Sequence, residues 1–310
     1  AQGREPDPKK SDGVLRERVQ ARYAWIEGQR LNHHLSDLCR ALKVSASGYH
    51  AWRKRPPSQR AKDDTRLATL IAATHHEHHE AYGSRRLVRA LHARGIACGR
   101  HRMDRLRRQH NLWTRRRRRF IRARAAYQRV LPVPRHLQWP FVAAAPNRVW
   151  VGDITYILTG EGPLYLAIII DLYSRRVIGW AMDSHQRQEL TERALQMALV
   201  QRRPGAGLTL HHDRGSQYTS ARYRAIAEKS ILQLSFSRPG MPYDNAVSES
   251  FFASLKFELP EHPAKSRDAT RLAVFEYLEV FYNRIRMHSS LGYRSPLQAE
   301  QDYQQRKLVS

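Results

Sequence analysis

Three acidic residues stand where an acid needs a reason. Asp153 interrupts the β-forming run Val149 to Ile157, Asp213 ends the short stretch that begins at Leu208, and Glu249 follows after an interval of 35 residues, 214–248. A carboxylate inside an apolar strand costs stability unless something pairs with it. Three carboxylates brought together repel, and at least one of their pKa values should rise. A divalent cation removes that penalty. Mg²⁺ is hard, prefers oxygen ligands and keeps waters for substrate phosphates. Two such ions can activate an attacking oxygen and steady a leaving one, which is the chemistry of phosphoryl transfer. Lys256 lies seven residues after Glu249, two helical turns along the same face, where a cation could hold a phosphate. Phe252 and Leu255 between them can anchor that helix. Each member also has a plainer reading: Asp213 as the start of a turn, Glu249 as a surface acid, Lys256 as a solvated lysine. Asp171 competes, because it too ends an apolar strand and could support the fold or the outer shell of a site. Asp183 and Asp244 read as a turn residue and a helix cap.

Positioning such a trio takes a sheet. Val149 to Ile157 reads as a strand, Gly160-Glu161-Gly162 as a turn, Leu164 to Leu172 as a second strand and Arg175 to Met182 as a third, a meander. Leu190, Ala194, Leu195, Ala198 and Leu199 have helical spacing. A strand at Leu208 to His211, a helix from about Thr219, a strand near Ile231 to Phe236, a Pro239-Gly240 turn and a long helical region follow. The order βββαβαβα is that of a ribonuclease H-like α/β fold. In it the first strand is central and the fourth lies beside it in parallel, so Asp153 and Asp213 become neighbours and Glu249 packs across their end.

The remaining sequence has a different character. The chain of 310 residues carries a net charge of +26. Residues 1–135 hold 33 Lys and Arg against 11 Asp and Glu, while residues 136–310 hold 21 against 17. The first portion has the footprint of a polyanion binder and the second that of an ordinary enzyme. Leu35, Leu38, Cys39 and Leu42 make one apolar helical stripe, and Ser45 can cap a second helix through Tyr49 and Trp52, a helix-turn-helix pattern closed by Pro56-Pro57-Ser58. A further helical unit follows Tyr82-Gly83-Ser84-Arg85-Arg86: Leu87 and Leu91 line one helix, Gly95 ends it, and Arg100 to His110 forms the next. There Met103 and Leu106 face one way and His101, Arg105 and Arg108 the other, as a groove-reading or phosphate-touching helix requires. His75, His76, His78 and His79 have no cysteines at matching spacing and suggest a polar, partly exposed helix. Arg115, Arg116, Arg117, Arg118 and Arg119, extended by Arg122 and Arg124, read as a linker laid along phosphates. The expected divisions are a tail at 1–13, helical units at 14–60 and 61–114, an Arg-rich linker at 115–140, a catalytic core with helical extension at 141–300, and a tail at 301–310.

The motifs resemble one family throughout. Val149-Trp150-Val151-Gly152-Asp153-Ile154-Thr155-Tyr156 is similar to the first catalytic strand of bacterial insertion-sequence transposases of the IS-three family, in the product of their second reading frame. His212-Asp213-Arg214-Gly215-Ser216-Gln217-Tyr218 resembles their second motif, and Asp244-Asn245-Ala246-Val247-Ser248-Glu249-Ser250-Phe251-Phe252 with Leu255-Lys256 their third. Tyr282-Asn283-Arg284 through His288, Leu291-Gly292-Tyr293 and Pro296 resemble the carboxy-terminal signature. Val44 to Tyr49 and Tyr82 to Arg86 resemble the amino-terminal helical motifs. The resemblance spans about residues 20–300. It implies an integrase core using Mg²⁺ or Mn²⁺, two ions with DNA bound, that frees a 3′-hydroxyl at element ends and joins it to DNA in a copy-out, paste-in pathway. It further implies inverted-repeat and target DNA as partners, a homo-oligomeric synaptic complex and the first reading frame's product. The site so expected has Asp153, Asp213 and Glu249 as catalytic metal ligands, and Lys256, Arg85, Arg86, Arg105, Arg108, Arg115 to Arg119, Arg284 and Arg286 on DNA. No helix-turn-helix with heptad repeat leads the sequence, so end recognition and multimerisation stay open.

Two other classes remain compatible with the residues: a DNA-binding regulator on an inactive core, and a simple nuclease of the same fold. The basic helical front favours a device that positions DNA. Cys39 and Cys98 match no zinc spacing and fit a reducing cytoplasm; the family resemblance implies a bacterial one, with the protein at the nucleoid. No segment reads as membrane-spanning.

Overall fold

The computed structural model describes residues 18–114, 143–238, 245–259 and 266–309. The tail at 1–13, the arginines at 115–119, 122 and 124, the Pro239-Gly240 turn and Asp244 lie outside the described residues. The chain divides between Leu67 and Ala68 into two compact units.

The first unit holds α1 (Val19–Gln29), α2 (Leu35–Ala41) and α3 (Ala46–Lys54). Ile26, Leu38, Cys39, Leu42 and Tyr49 are buried together, so the apolar stripe of α2 packs as its spacing predicts. Ser45 caps α3, its Oγ accepting the Gly48 N–H at 3.0 Å. The helix-turn-helix is therefore present, with α1 added to it. The unit boundary falls within α4 (Gln59–Glu77), which Ser58 starts by accepting the Ala61 N–H at 3.2 Å.

The second unit contains the end of α4, then α5 (Ser84–Ala93), α6 (Arg100–Gln109) and the sheet. Leu87, Leu91, Met103 and Leu106 are buried. The histidines at the end of α4 and just past it divide: His76 is exposed and His79 half-buried, as a partly exposed segment requires, but the other two are not. His75 and His78 are buried, and His78 Nδ1 donates to the Thr74 carbonyl at 2.7 Å. The His78 ring lies 4.1 Å from that of Tyr82. Burial depresses both pKa values, holding the rings neutral in a packed face instead of a solvated one.

The sheet has strands β1 (Val149–Thr159), β2 (Gly162–Asp171), β3 (Val177–Asp183), β4 (Thr209–His212) and β5 (Gln233–Phe236), ordered β3-β2-β1-β4-β5. The first three are antiparallel; β4 and β5 run parallel to β1 and to each other. This is the ribonuclease H-like arrangement, with α7 (Gln188–Arg202), α8 (Ser216–Thr219), α9 (Ala221–Lys229), α10 (Ala246–Glu258), α11 (Arg267–Phe275), a π-helical turn at Glu276–Tyr282 and α12 (Pro296–Val309) around it. Strand β2 is apolar at successive positions because both its faces are covered. Leu166, Ile168 and Ile170 meet Phe251, Leu255 and Phe281 on one side; Ala167 and Ile169 meet Ala194 and Leu195 on the other. Gly179 lets α7 close onto β3, since a Cβ there would strike the Ala194 carbonyl.

Several boundaries move, among them the start of β5, which is Gln233 because Ile231 turns the chain at φ +57°. Strand β3 starts at Val177, not Arg175, because Arg175 turns the chain at φ +62°, outside any extended conformation. Residues 301–309 continue α12 instead of forming a tail. No helix among the described residues is long and apolar enough to cross a membrane.

Candidate active site

The register of the sheet brings two of the three acids together. Val151 pairs with His211 across the parallel β1–β4 ladder, so two residues further on Asp153 and Asp213 reach the same level on adjacent strands. On its other side Asp153 pairs with Ile168, within the apolar centre of β2. Helix α10 supplies the third acid. Phe251, Phe252 and Leu255 bury one of its faces, which phases Glu249 in the first turn and Lys256 in the last toward β1. Lys256 Nζ stands 5.0 Å from the centre of the Tyr156 ring, three residues beyond Asp153.

The electrostatics report that convergence. Asp153 is pushed up to about 8: burial contributes most, then the charge of Asp213, with Glu249 adding to it, against hydrogen bonds from the Ile154 N–H and Asn245 that lower it. Asp153 Oδ1 accepts the Ile154 N–H at 2.8 Å and Oδ2 accepts Asn245 Nδ2 at 2.7 Å. Burial also raises Asp213, whose Oδ1 accepts the Gly215 N–H at 2.9 Å. Burial lowers Lys256, and the nearby Asp153 charge opposes that shift. Among the described residues no three His, Cys, Asp or Glu side chains close tightly enough to hold a metal ion unaided.

The other expected residues separate into three kinds. Asp171 sits at the far end of β2 and is spent on the fold, accepting the Asn147 N–H at 2.7 Å and the Ser174 N–H at 3.0 Å. Arg85, Arg108 and Arg284 are exposed; Arg86 and Arg105 are half-buried, Arg86 over the Tyr82 ring and Arg105 bonded to Gln109. Arg286 is elsewhere. It is 4% exposed and its guanidinium donates twice to Glu258, both at 2.6 Å, and to Ser254 Oγ at 3.2 Å. A cation already desolvated and matched by a buried carboxylate does not reach a phosphate, so Arg286 belongs to the interior and not to a DNA surface.

Three residues carry more of the site than their sequence pattern indicates. His212 is fully buried between Gly152, Tyr218 and Tyr223. The Tyr218 ring stacks on it at 4.0 Å, and the Tyr218 hydroxyl is buried with no hydrogen-bond partner among the described residues. The charges of Asp153 and Asp213 both help hold that phenol protonated, after burial itself. Asn245 donates to Asp153 while its own Oδ1 is buried without a partner among the described residues. All three lie inside the motifs around the acids, but an orphaned polar atom becomes visible only in three dimensions.

A sheet of this order, with one acid inside its central strand, a second just past the end of the parallel neighbour and a third on a crossing helix, defines an integrase-type polynucleotidyl transferase core. Family models agree: two described as integrase core domains match residues 143–242 and 231–296, and one described as an HTH-like domain matches 62–120. The chain is 45% identical over 270 residues to the uncharacterized 31 kDa protein of insertion element IS600 from Shigella sonnei, covering 86% of this chain and 99% of that one. It is 40% identical over 244 residues to the transposase of IS904 from Lactococcus lactis, covering 78% and 96%. It is 39% identical over 285 residues to transposase InsF of IS3 elements from Escherichia coli, covering 90% and 98%. The chain belongs to the IS3 family of insertion-sequence transposases. Among solved structures it is similar to a chain of the simian T-cell lymphotropic virus intasome, with TM-score 0.43 and 16% identity over 75% of this chain and 73% of that one.

Proposed function

We propose that this transposase cuts DNA at the ends of its element and joins the freed 3′-hydroxyl to DNA, using Asp153, Asp213 and Glu249 as its acidic triad. The observation that carries the reading is Asp153, pushed up to about 8 by burial, by Asp213 and by Glu249. A carboxylate buried beside two further acids is explained when a cation joins them. The donor set suits Mg²⁺ or Mn²⁺, which takes few protein carboxylates and leaves positions for water and phosphate. One ion or two held by Asp153, Asp213 and Glu249 would supply activation of the attacking oxygen and stabilisation of the leaving one.

The chain's own residues supply the rest. Lys256 places a positive charge beside Asp153, where a substrate phosphate is attracted and held. Asn245 fixes the Asp153 carboxylate through Oδ2, leaving Oδ1 with the Ile154 N–H. The Tyr218 hydroxyl, unpartnered among the described residues, is a donor close to both aspartates. The proposed DNA contacts outside the site are the exposed Arg85, Arg108 and Arg284, with Arg86 and Arg105 at their margins and the arginines at 115–119 between the helical front and the core. Inverted-repeat ends and target DNA are the proposed partners, in a homo-oligomeric synaptic complex with the first reading frame's product, at the nucleoid of a bacterial cytoplasm.

Incubation of the full chain with Mg²⁺ and inverted-repeat DNA, followed by strand mapping, tests this. Cleaved and joined strands are expected; nicks alone would indicate a nuclease, and shifted but intact DNA a regulator. Asp153→Asn, Asp213→Asn and Glu249→Gln should each slow cleavage by about a thousandfold or more while binding persists, and chelation of the metal should do the same. A triad variant cutting at the normal rate refutes the assignment.

A further inference from the structure

At the end of β1 away from the carboxylates, the turn between β2 and β3 and the approach to α12 enclose a cavity of about 330 Å³. It lies beside Val149, whose carbonyl accepts the Leu172 N–H at 2.9 Å, four residues before Asp153 and so roughly 13 Å along the strand. Three arginines wall it, Arg175, Arg294 and Arg306, with Tyr173 and Ser290, and no acid among the described residues lines it.

The three guanidiniums differ in what they already hold. Arg294 pairs with Asp302 at 2.7 Å. Arg306 donates to the Tyr173 hydroxyl at 3.1 Å and to the Asp302 carbonyl at 3.1 Å. The guanidinium of Arg175 makes no hydrogen bond or ion pair among the described residues, although it is half-buried and its backbone is held at φ +62° with its N–H on the Asp171 carbonyl at 2.8 Å. Burial depresses its pKa, with Tyr282 and Asp171 only partly restoring it. The surroundings add positive charge: His288 nearby is depressed to about 3 by burial and then by Arg286, Arg86 and Arg175. The acids nearby are already committed: Glu258 to Arg286, Asp302 to Arg294, and Asp171 to the Asn147 and Ser174 N–H groups. A half-buried guanidinium with its fork unspent among the described residues, facing a small cavity with two other guanidiniums, is placed to take an anion.

We infer that this cavity is a second DNA contact, separate from the catalytic acids, in which Arg175, Arg306 and Arg294 take one backbone phosphate. Phosphate matches the cavity because several guanidinium forks can share its oxygens, and the exposed Arg306 leaves the mouth open to a passing strand. The inference rests on the DNA-joining reading for the identity of the polyanion, but not for the existence of an anion site.

The test is the double variant Arg175→Gln with Arg306→Gln in the full chain, compared with wild type in two measurements. With a duplex oligonucleotide, the slope of log K against log salt should become shallower by about 0.9, the change expected when one phosphate fewer is neutralised. Without DNA, inorganic phosphate should raise the wild-type melting temperature above that in chloride of equal ionic strength, and should not do so in the variant. An unchanged salt slope in a variant that melts like wild type overturns the DNA contact. If phosphate stabilisation is lost while the salt slope stays, the cavity takes free phosphate and the inference also fails. Failure of the transposase reading would appear instead as absent strand cleavage in wild type, with phosphate stabilisation of the cavity unaffected.

Discussion

His212 and Gly152 tie the two aspartate-bearing strands together: His212 Nδ1 donates to the Gly152 carbonyl at 3.1 Å, and each residue immediately precedes an acid of the site, Asp213 and Asp153. The Tyr223 hydroxyl donates to Nε2 at 2.8 Å, so both ring nitrogens are used and one neutral tautomer is fixed. Burial holds the ring near pKa 3, well below any working pH. The glycine is as necessary as the histidine. A Cβ on residue 152 would lie 2.5 Å from His212 Nδ1 and 2.9 Å from Ile169 Cδ1. Gly152→Ala should therefore destabilise the core by about 1–3 kcal/mol, the usual range for overpacking, and shift Asp153 from Asp213. Chemical denaturation reads the first effect and strand cleavage the second. A Gly152→Ala chain with native stability and native cleavage would show that the contact positions nothing.

Tyr218 separates stability from activity. Its hydroxyl is buried without a partner among the described residues, which costs the fold roughly 1–3 kcal/mol of lost hydration. Tyr218→Phe keeps the ring that stacks on His212 and removes only that hydroxyl. The expected outcome is equal or greater thermal stability together with slower cleavage. A loss of stability, or cleavage at the wild-type rate, would mean that the hydroxyl has an ordinary structural role.

Much of this was legible before the fold was. The unbroken apolar run of β2 and the i, i+3, i+4 stripe of α2 are local patterns, and the structure keeps both, burying β2 on its two faces. The parallel pairing of β1 with β4 follows from element order and brings Asp153 level with Asp213. What sequence could not supply depends on partners far along the chain. Arg286 sits in a motif rich in exposed positive charge, and nothing nearby in sequence announces Glu258, 28 residues earlier, as its buried partner. Likewise His75 and His78 read as polar until Tyr82 and the Trp113 carbonyl cover them. Arg175 continues a strand-like pattern, and only its left-handed backbone removes it from β3.

Arg286 therefore yields a prediction opposite in kind to that for a DNA contact. Burial alone would lower its pKa, but the hydrogen bonds and charge of Glu258 raise it above the usual value, so the cation is permanent. Arg286→Gln leaves Glu258 buried with the Tyr277 hydroxyl, at 2.9 Å, but without its cation. A loss of about 3–5 kcal/mol of stability is expected, as for breaking a buried pair from one side. For whatever fraction remains folded at low temperature, the salt dependence of DNA binding should match wild type. A shallower salt slope with intact stability would return Arg286 to the DNA surface.

Glu300 gives the pH dependence. It lies buried in α12, bonded to Arg202 at 2.6 Å, Arg176 at 2.8 Å and Ser174 Oγ at 2.8 Å, and so fastens the last helix to β3's approach and to α7. Burial pushes its pKa up, but the two arginines outweigh that and hold it below the ordinary glutamate value. The folded state therefore binds the proton less readily than the unfolded one. The sign follows: the stabilisation is complete above the unfolded glutamate pKa of about 4.5 and is lost as pH falls through the depressed folded value. Glu300→Gln should remove that acid-limb dependence and leave the half-buried Arg202 and Arg176 without their shared charge partner, lowering stability at neutral pH by about 3 kcal/mol. Denaturation midpoints measured from neutral pH down to about pH 3 check both parts. If the variant's pH profile parallels the wild type's, Glu300 is not the group that couples the final helix to acid.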